Sequence, residues 1–117
     1  MKGRNESVNK YIYKVVVELD DNIILNAGRH DLEDAYRIVR KMFTDEGLHD
    51  VSEGKQLVFI STPEDKDAYG AIGAVTINLY TSWVKPYLKV MEWHDADKDD
   101  KEDLLETYKT CEAKYGA

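Results

Sequence analysis

The chain is poor in the residues that staple, kink or anchor a protein. It has one cysteine, Cys111, and two prolines, Pro63 and Pro86, among 117 residues. A lone thiol closes no internal disulfide, which excludes the cross-linked scaffold of small secreted domains. No apolar run approaches the ~20 residues that span a bilayer, and Met1–Lys10 lacks the apolar stretch of a secretion signal. Positive charge is short as well: 16 Lys and Arg stand against 23 Asp and Glu, a formal net charge of −7. A field of that sign repels phosphate and disfavours direct contact with nucleic acid or an anionic membrane. A cytoplasmic protein, with neither membrane nor nucleic acid as partner, is the expectation.

Catalytic signatures are missing too. There is no G-x-S-x-G, no H-E-x-x-H and no Walker sequence. Gly70 and Gly73 lie in YGAIGAV, which leads into what reads as a strand, so a phosphate-cradling turn has no helix to stand on. No cofactor is expected.

What is present is a folding pattern. Hydrophobic residues make up 43% of the chain and charged ones 33%, enough apolar content for one domain with a modest core. Met1–Lys10 reads as a flexible tail and residues 11–117 as a single α+β domain. The clearest element is a helix over Asp31–Gly47. Leu32, Ala35, Tyr36, Val39, Met42 and Phe43 recur at three- and four-residue steps, with Asp31 as its N-cap and Gly47 as its left-handed stop. Its other side carries Glu33, Arg37, Arg40 and Lys41, a solvated face on which Glu33 can pair with Arg37.

Tyr11–Leu19 alternates as a strand, with Tyr11, Tyr13, Val15, Val17 and Leu19 on one face. Ile23–Leu25, Gln56–Ser61, Ile72–Thr81 and Tyr87–His94 read as further strands, and about Asp99–Tyr115 as a second helix. The order is ββαβββα: a two-layer sandwich, with a mainly antiparallel sheet of about five strands and two helices on one face. The uncovered side of that sheet is expected to carry Thr76, Asn78 and Tyr80 with Tyr87 and Trp93.

Three groups of side chains bear on chemistry. From Asp95 to Glu106, the acids Asp95, Asp97, Asp99, Asp103 and Glu106 occupy positions one, three, five, nine and twelve of an EF-hand calcium loop, to which this segment is similar. Asp100 stands where that loop needs glycine, and Glu102 where it needs an apolar residue, so calcium or another metal ion is the alternative reading. The preferred one is an acidic surface, Asp95, Asp97, Asp99, Asp100, Asp103 and Glu106, that meets a basic partner such as a nucleic-acid-binding protein. Second, each histidine precedes an aspartate (His30-Asp31, His49-Asp50, His94-Asp95), without the local spacing of a metal pair. Third, Cys111 falls three residues after Tyr108, on the stripe expected to be buried.

These features imply a non-enzymatic interaction module, a small acidic accessory or inhibitory protein. It docks through the acidic segment, or through Tyr80, Tyr87 and Trp93 on the open sheet, where self-pairing as a homodimer is the other expectation. An enzyme without a recognised signature is the remaining alternative.

Overall fold

The computed structural model describes residues 11–115, so the expected tail at Met1–Lys10 lies outside the described residues. The fold class is α+β: a five-stranded antiparallel sheet with four α-helices among the described residues. Strand β1, Tyr13–Leu19, is followed by helices α1, Asp21–Ala27, and α2, Leu32–Asp45. Then come strands β2, His49–Asp50, and β3, Leu57–Ile60, and helix α3, Ala68–Tyr80. A 3-10 turn at Lys85–Tyr87 leads to strands β4, Leu88–Asp95, and β5, Asp100–Asp103, and to helix α4, Leu104–Tyr115. The strands lie in the order β2-β3-β1-β4-β5, with each neighbour antiparallel. Helix α3 carries the chain from β3 across β1 to β4, the arrangement of a split β-α-β unit.

The helix over Leu32–Asp45 closes as its sequence implies. Gly47 adopts φ +92, its N–H donates to Thr44 O at 3.0 Å, and the Leu48 N–H reaches Phe43 O at 3.2 Å. That pair of bonds satisfies carbonyls that the last turn leaves free, at a conformation costly for any residue with a Cβ. Asp31 holds the N-cap position but makes no side-chain cap bond. Arg37 pairs with Asp34 at 2.8 Å rather than with Glu33, Arg40 with Asp50 at 2.9 Å and Lys41 with Asp45 at 2.9 Å.

Four elements depart from the expected order, which placed two helices in the chain; one is β2, His49–Asp50, in a segment that reads as a loop. Ile23–Leu25 is helical, because Asp20 caps the Ile23 N–H at 3.1 Å and Gly28, at φ +66, ends the turn. Only Ile24 of α1 is buried; Ile23 and Leu25 face out. Ile72–Thr81 is not a strand either. Its buried residues are Ile72, Val75, Thr76, Leu79 and Tyr80, a helical spacing, and tertiary burial outweighs the β-preference of Val, Ile and Thr. The Thr76 hydroxyl donates to Ile72 O at 2.7 Å, so a polar group enters the core satisfied. Finally, Asp100–Asp103 extends the sheet, and the last helix starts only at Leu104.

One hydrophobic cluster holds the layers together. Val15, Val17 and Leu19 of β1, Leu57 and Phe59 of β3 and Met91 of β4 meet Ile24, Ala35, Val39, Phe43, Ile72, Val75, Leu79 and Leu104 from all four helices. Phe43 and Phe59, both fully buried, stack at 4.3 Å with planes 6° apart. At the far end Tyr80 donates to Glu112 at 2.7 Å, Lys85 pairs with the same carboxylate at 2.7 Å, and α4 is thereby tied to the end of α3. Burial and that carboxylate raise the Tyr80 pKa to about 12. No helix among the described residues is long and apolar enough to cross a membrane.

Phe43→Ala is expected to cost about 3–5 kcal/mol in urea unfolding, through lost transfer energy and a cavity. Leu25→Ser, at a position 62% exposed, should stay within about 0.5 kcal/mol of the parent. Similar losses for both would contradict this core.

Candidate functional site

Cross-strand partners in an antiparallel sheet share a face, so the register assigns every strand residue to one side or the other. Val15 pairs with Phe59 and Trp93, and Val17 with Leu57 and Met91; these make the inner face. Lys14 pairs with Ile60 and His94, Val16 with Val58 and Glu92, and Glu18 with Val90. In β5, Lys101 lies beside His94 and Asp103 beside Glu92. None of this second set joins the hydrophobic cluster; Val16 is 8% exposed, Lys101 and Asp103 are exposed and the others are half-buried. Among the described residues the sheet therefore has a sealed side and an uncovered one.

The uncovered side was expected to carry Tyr80, Tyr87 and Trp93, and it carries none of them. Tyr80 is 3% exposed on α3, and Tyr87 is 5% exposed in the 3-10 turn. Trp93 is half-buried on the inner face, ringed by Tyr13 at 5.6 Å and Tyr69 at 5.7 Å. The reason is the misread helix: taking Ile72–Thr81 as a strand assigns its polar residues to a sheet face that they never reach. Thr76, expected there too, is 1% exposed.

The acidic segment is likewise divided. Asp95 Oδ1 accepts from the backbone N–H groups of Asp97 at 3.0 Å and Lys98 at 3.4 Å, and Asp99 takes φ +52, which together turn the chain from β4 into β5. Asp103 accepts from the Glu106 N–H at 3.2 Å and so caps α4. Asp95 is 8% exposed, whereas Asp97, Asp99, Asp100, Asp103 and Glu106 are exposed. These acids follow a hairpin and a helix start rather than curling about one centre. Among the described residues no three Asp, Glu, His or Cys side chains are grouped to hold a metal ion.

The histidines lie on separate elements. His30 stacks on Trp83 at 4.0 Å, and His49 pairs with Asp65 at 3.0 Å. His94 stands on the uncovered face, its Nε2 lying 3.4 Å from Glu92 without the alignment of a hydrogen bond. Burial, reinforced by the Lys14 charge and only partly opposed by Glu92, holds the His94 pKa below 6.5. Beside it, Tyr11, Asp95, Asp99, Asp100 and Lys101 border an open hollow of about 510 Å³ at the hairpin end. A smaller cleft of about 230 Å³ lies under α4, between Tyr69, Trp93, Glu102 and Tyr108. Trp93 Nε1 has no hydrogen-bond partner, but its surface is closed to solvent. Cys111, expected to be buried, is exposed, because the inner stripe of α4 runs through Leu104, Tyr108 and Glu112 instead.

Sequence reasoning missed Lys14, Val16, Val58, Ile60, Val90, Glu92 and Lys101 as a surface. The alternation of Tyr11–Leu19 separates Lys14, Val16 and Glu18 from the apolar face. The missing signal was the pairing that brings β3, β4 and β5 beside them. Comparison of the chain with protein-family models, curated proteins and solved structures gives no match.

The lowered His94 pKa has a definite sign. The unfolded ring binds its proton near pH 6.5 and the folded ring only at lower pH, so stability falls as pH drops below about 6.5 and levels off beneath the folded value. Asp21, Asp50 and Asp65, whose pKa values are lowered by hydrogen bonds and ion pairs that outweigh burial where it opposes them, lose their contribution only in the more acidic range below about 4. His94→Gln should therefore flatten the decline in urea midpoint between pH 7.5 and 5.5. An unchanged slope would remove His94 as its source.

Proposed function

We propose that the chain is a non-enzymatic protein-interaction module and that its working surface is the uncovered face of the sheet. The supporting observation is that this face has the half-buried apolar residues Val58 and Ile60 at β3, beside a buried Val16 on β1, and charged residues toward β4 and β5. Among the described residues, Lys14, Lys101 and Asp103 make no ion pair within the chain. A half-apolar face edged by unpaired charge has the composition of a transient interface, in which apolar contact supplies affinity and charge supplies register. Strands can also bind single-stranded nucleic acid through stacked aromatics, but no Phe, Tyr or Trp stands among the paired residues of this face. The net charge of −7 opposes phosphate as well.

The acidic hairpin tip, with Asp97, Asp99 and Asp100 exposed, adds a negative field at one end of the face. That field favours a partner with basic groups and gives binding that weakens with salt. An accessory or inhibitory role follows from the small size: a domain of this kind acts by occupying a surface.

The test is capture from an extract of the native cell at low and high salt, using the parent chain and the Val58→Lys/Ile60→Lys variant. The variant is first shown to fold by its urea transition. A protein retained by the parent and lost with the variant is the expected result. Equal retention by both chains, or none by either, would refute the assignment of this face.

A further inference from the structure

We propose that the occupant of the uncovered face is a second copy of this chain, related to the first by a two-fold axis that crosses the strands between two adjacent rows of side chains. This rests on the reading of that face as an interaction surface and names its partner.

The rows come from the register. One row runs Ile60, Lys14, His94, Lys101 across β3, β1, β4 and β5; the next runs Val58, Val16, Glu92, Asp103 across the same strands. Along each strand the two rows are two residues apart, about 7 Å. The first row is basic and the second acidic; each has an apolar residue on β3, and the second has Val16 on β1 as well. Paired faces of identical chains must be self-complementary under the operator that relates them.

Two operators bring sheet against sheet. An axis along the strands lays each row on itself, so that the basic row meets a basic row and the acidic row an acidic one. An axis across the strands, midway between the rows, reverses strand direction but returns each strand over its counterpart. Ile60 then faces Val58 of the second copy, Lys101 faces its Asp103, His94 faces its Glu92, and Lys14 lies over its Val16 with Glu92 diagonal to it. Each contact occurs twice. Ile60 meets Val58, and Lys101 and His94 meet acids; Lys14, over Val16, reaches an acid only on the diagonal. Twisted sheets pack face to face at about −30°, which tilts these pairs without exchanging them.

The two rows cover about 14 Å across four strands and about 7 Å along them, centre to centre, less than a standard stable interface. Association is therefore expected to be weak and strongly dependent on charge. Other regions carry less. The hollow at the hairpin end is bordered by exposed charges of both signs, and the cleft under α4 by a Trp93 N–H closed to solvent; neither defines a ligand.

The experiment is a charge exchange read by sedimentation equilibrium over a wide concentration range. One variant carries Glu92→Lys/Asp103→Lys, making both rows basic; the other carries Lys14→Glu/Lys101→Glu, making both acidic. Each is first shown to fold by circular dichroism. The parent chain should form dimers, each variant alone should associate at least tenfold more weakly, and an equimolar mixture should recover association as a heterodimer. A parent chain that stays monomeric to its solubility limit overturns the proposal. So does a dimer indifferent to both exchanges, or a mixture that does not recover. If the chain is monomeric while the Val58→Lys/Ile60→Lys variant still loses a captured protein, the two-fold pairing fails and the interaction face stands. Loss of neither signal brings down both.

Discussion

Strand β1 hydrogen-bonds to β3 on one side and to β4 on the other, so its seven residues have no freedom to choose a face. Alternation then divides them, sending Val15, Val17 and Leu19 into the core and Lys14, Val16 and Glu18 to the opposite surface. Every neighbouring strand inherits that division through its register, and every helix must lie on the side where the apolar set points. A slip by one residue would bring Lys14 and Glu18 into the core, a cost far beyond the few kcal/mol by which a domain of this size is stable. The position of the layers, the sealed face and the bare face all follow from this one constraint.

The same division explains which parts of the molecule were legible. The periodicity of α2 and the alternation of β1 are long and unambiguous, and both stand where the sequence implies. Short apolar runs were not. Ile23–Leu25 is too brief to show a period, and its helical state depends on the Asp20 cap and the Gly28 stop, both visible as turn residues. In Ile72–Tyr80 the residues 72, 75, 76, 79 and 80 carry a helical spacing, but Val75, Ile77 and Leu79 satisfy a strand equally well. Burial against α2 and the sheet decides between them, and that contact is long-range. The error moved Tyr80 from the core to an imagined surface; Trp93 was misplaced separately, because only its pairing with Val15 fixes the face that it takes.

The acidic stretch teaches a related lesson. In sequence, Asp95, Asp97, Asp99, Asp103 and Glu106 look like one electrostatic unit. In the fold, Asp95 organises a turn, Asp103 caps a helix, and Asp97, Asp99 and Asp100 gather at a hairpin tip. Carboxylates accept backbone N–H groups at element boundaries, so a run rich in them marks where the chain changes direction as readily as where it binds. The interaction surface comes instead from residues scattered between Lys14 and Asp103, joined only by strand pairing.

The central claim is that adjacent residues of β1 live in opposite environments, and a pair of single substitutions tests it most directly. Glu18→Lys, at a half-buried position on the bare face, should leave the urea midpoint and circular dichroism near those of the parent, a change within about 1 kcal/mol. Val17→Lys places a charge in the sealed core and should abolish the folded state or cost several kcal/mol. Comparable damage from both, or tolerance at Val17 with loss at Glu18, would contradict the account.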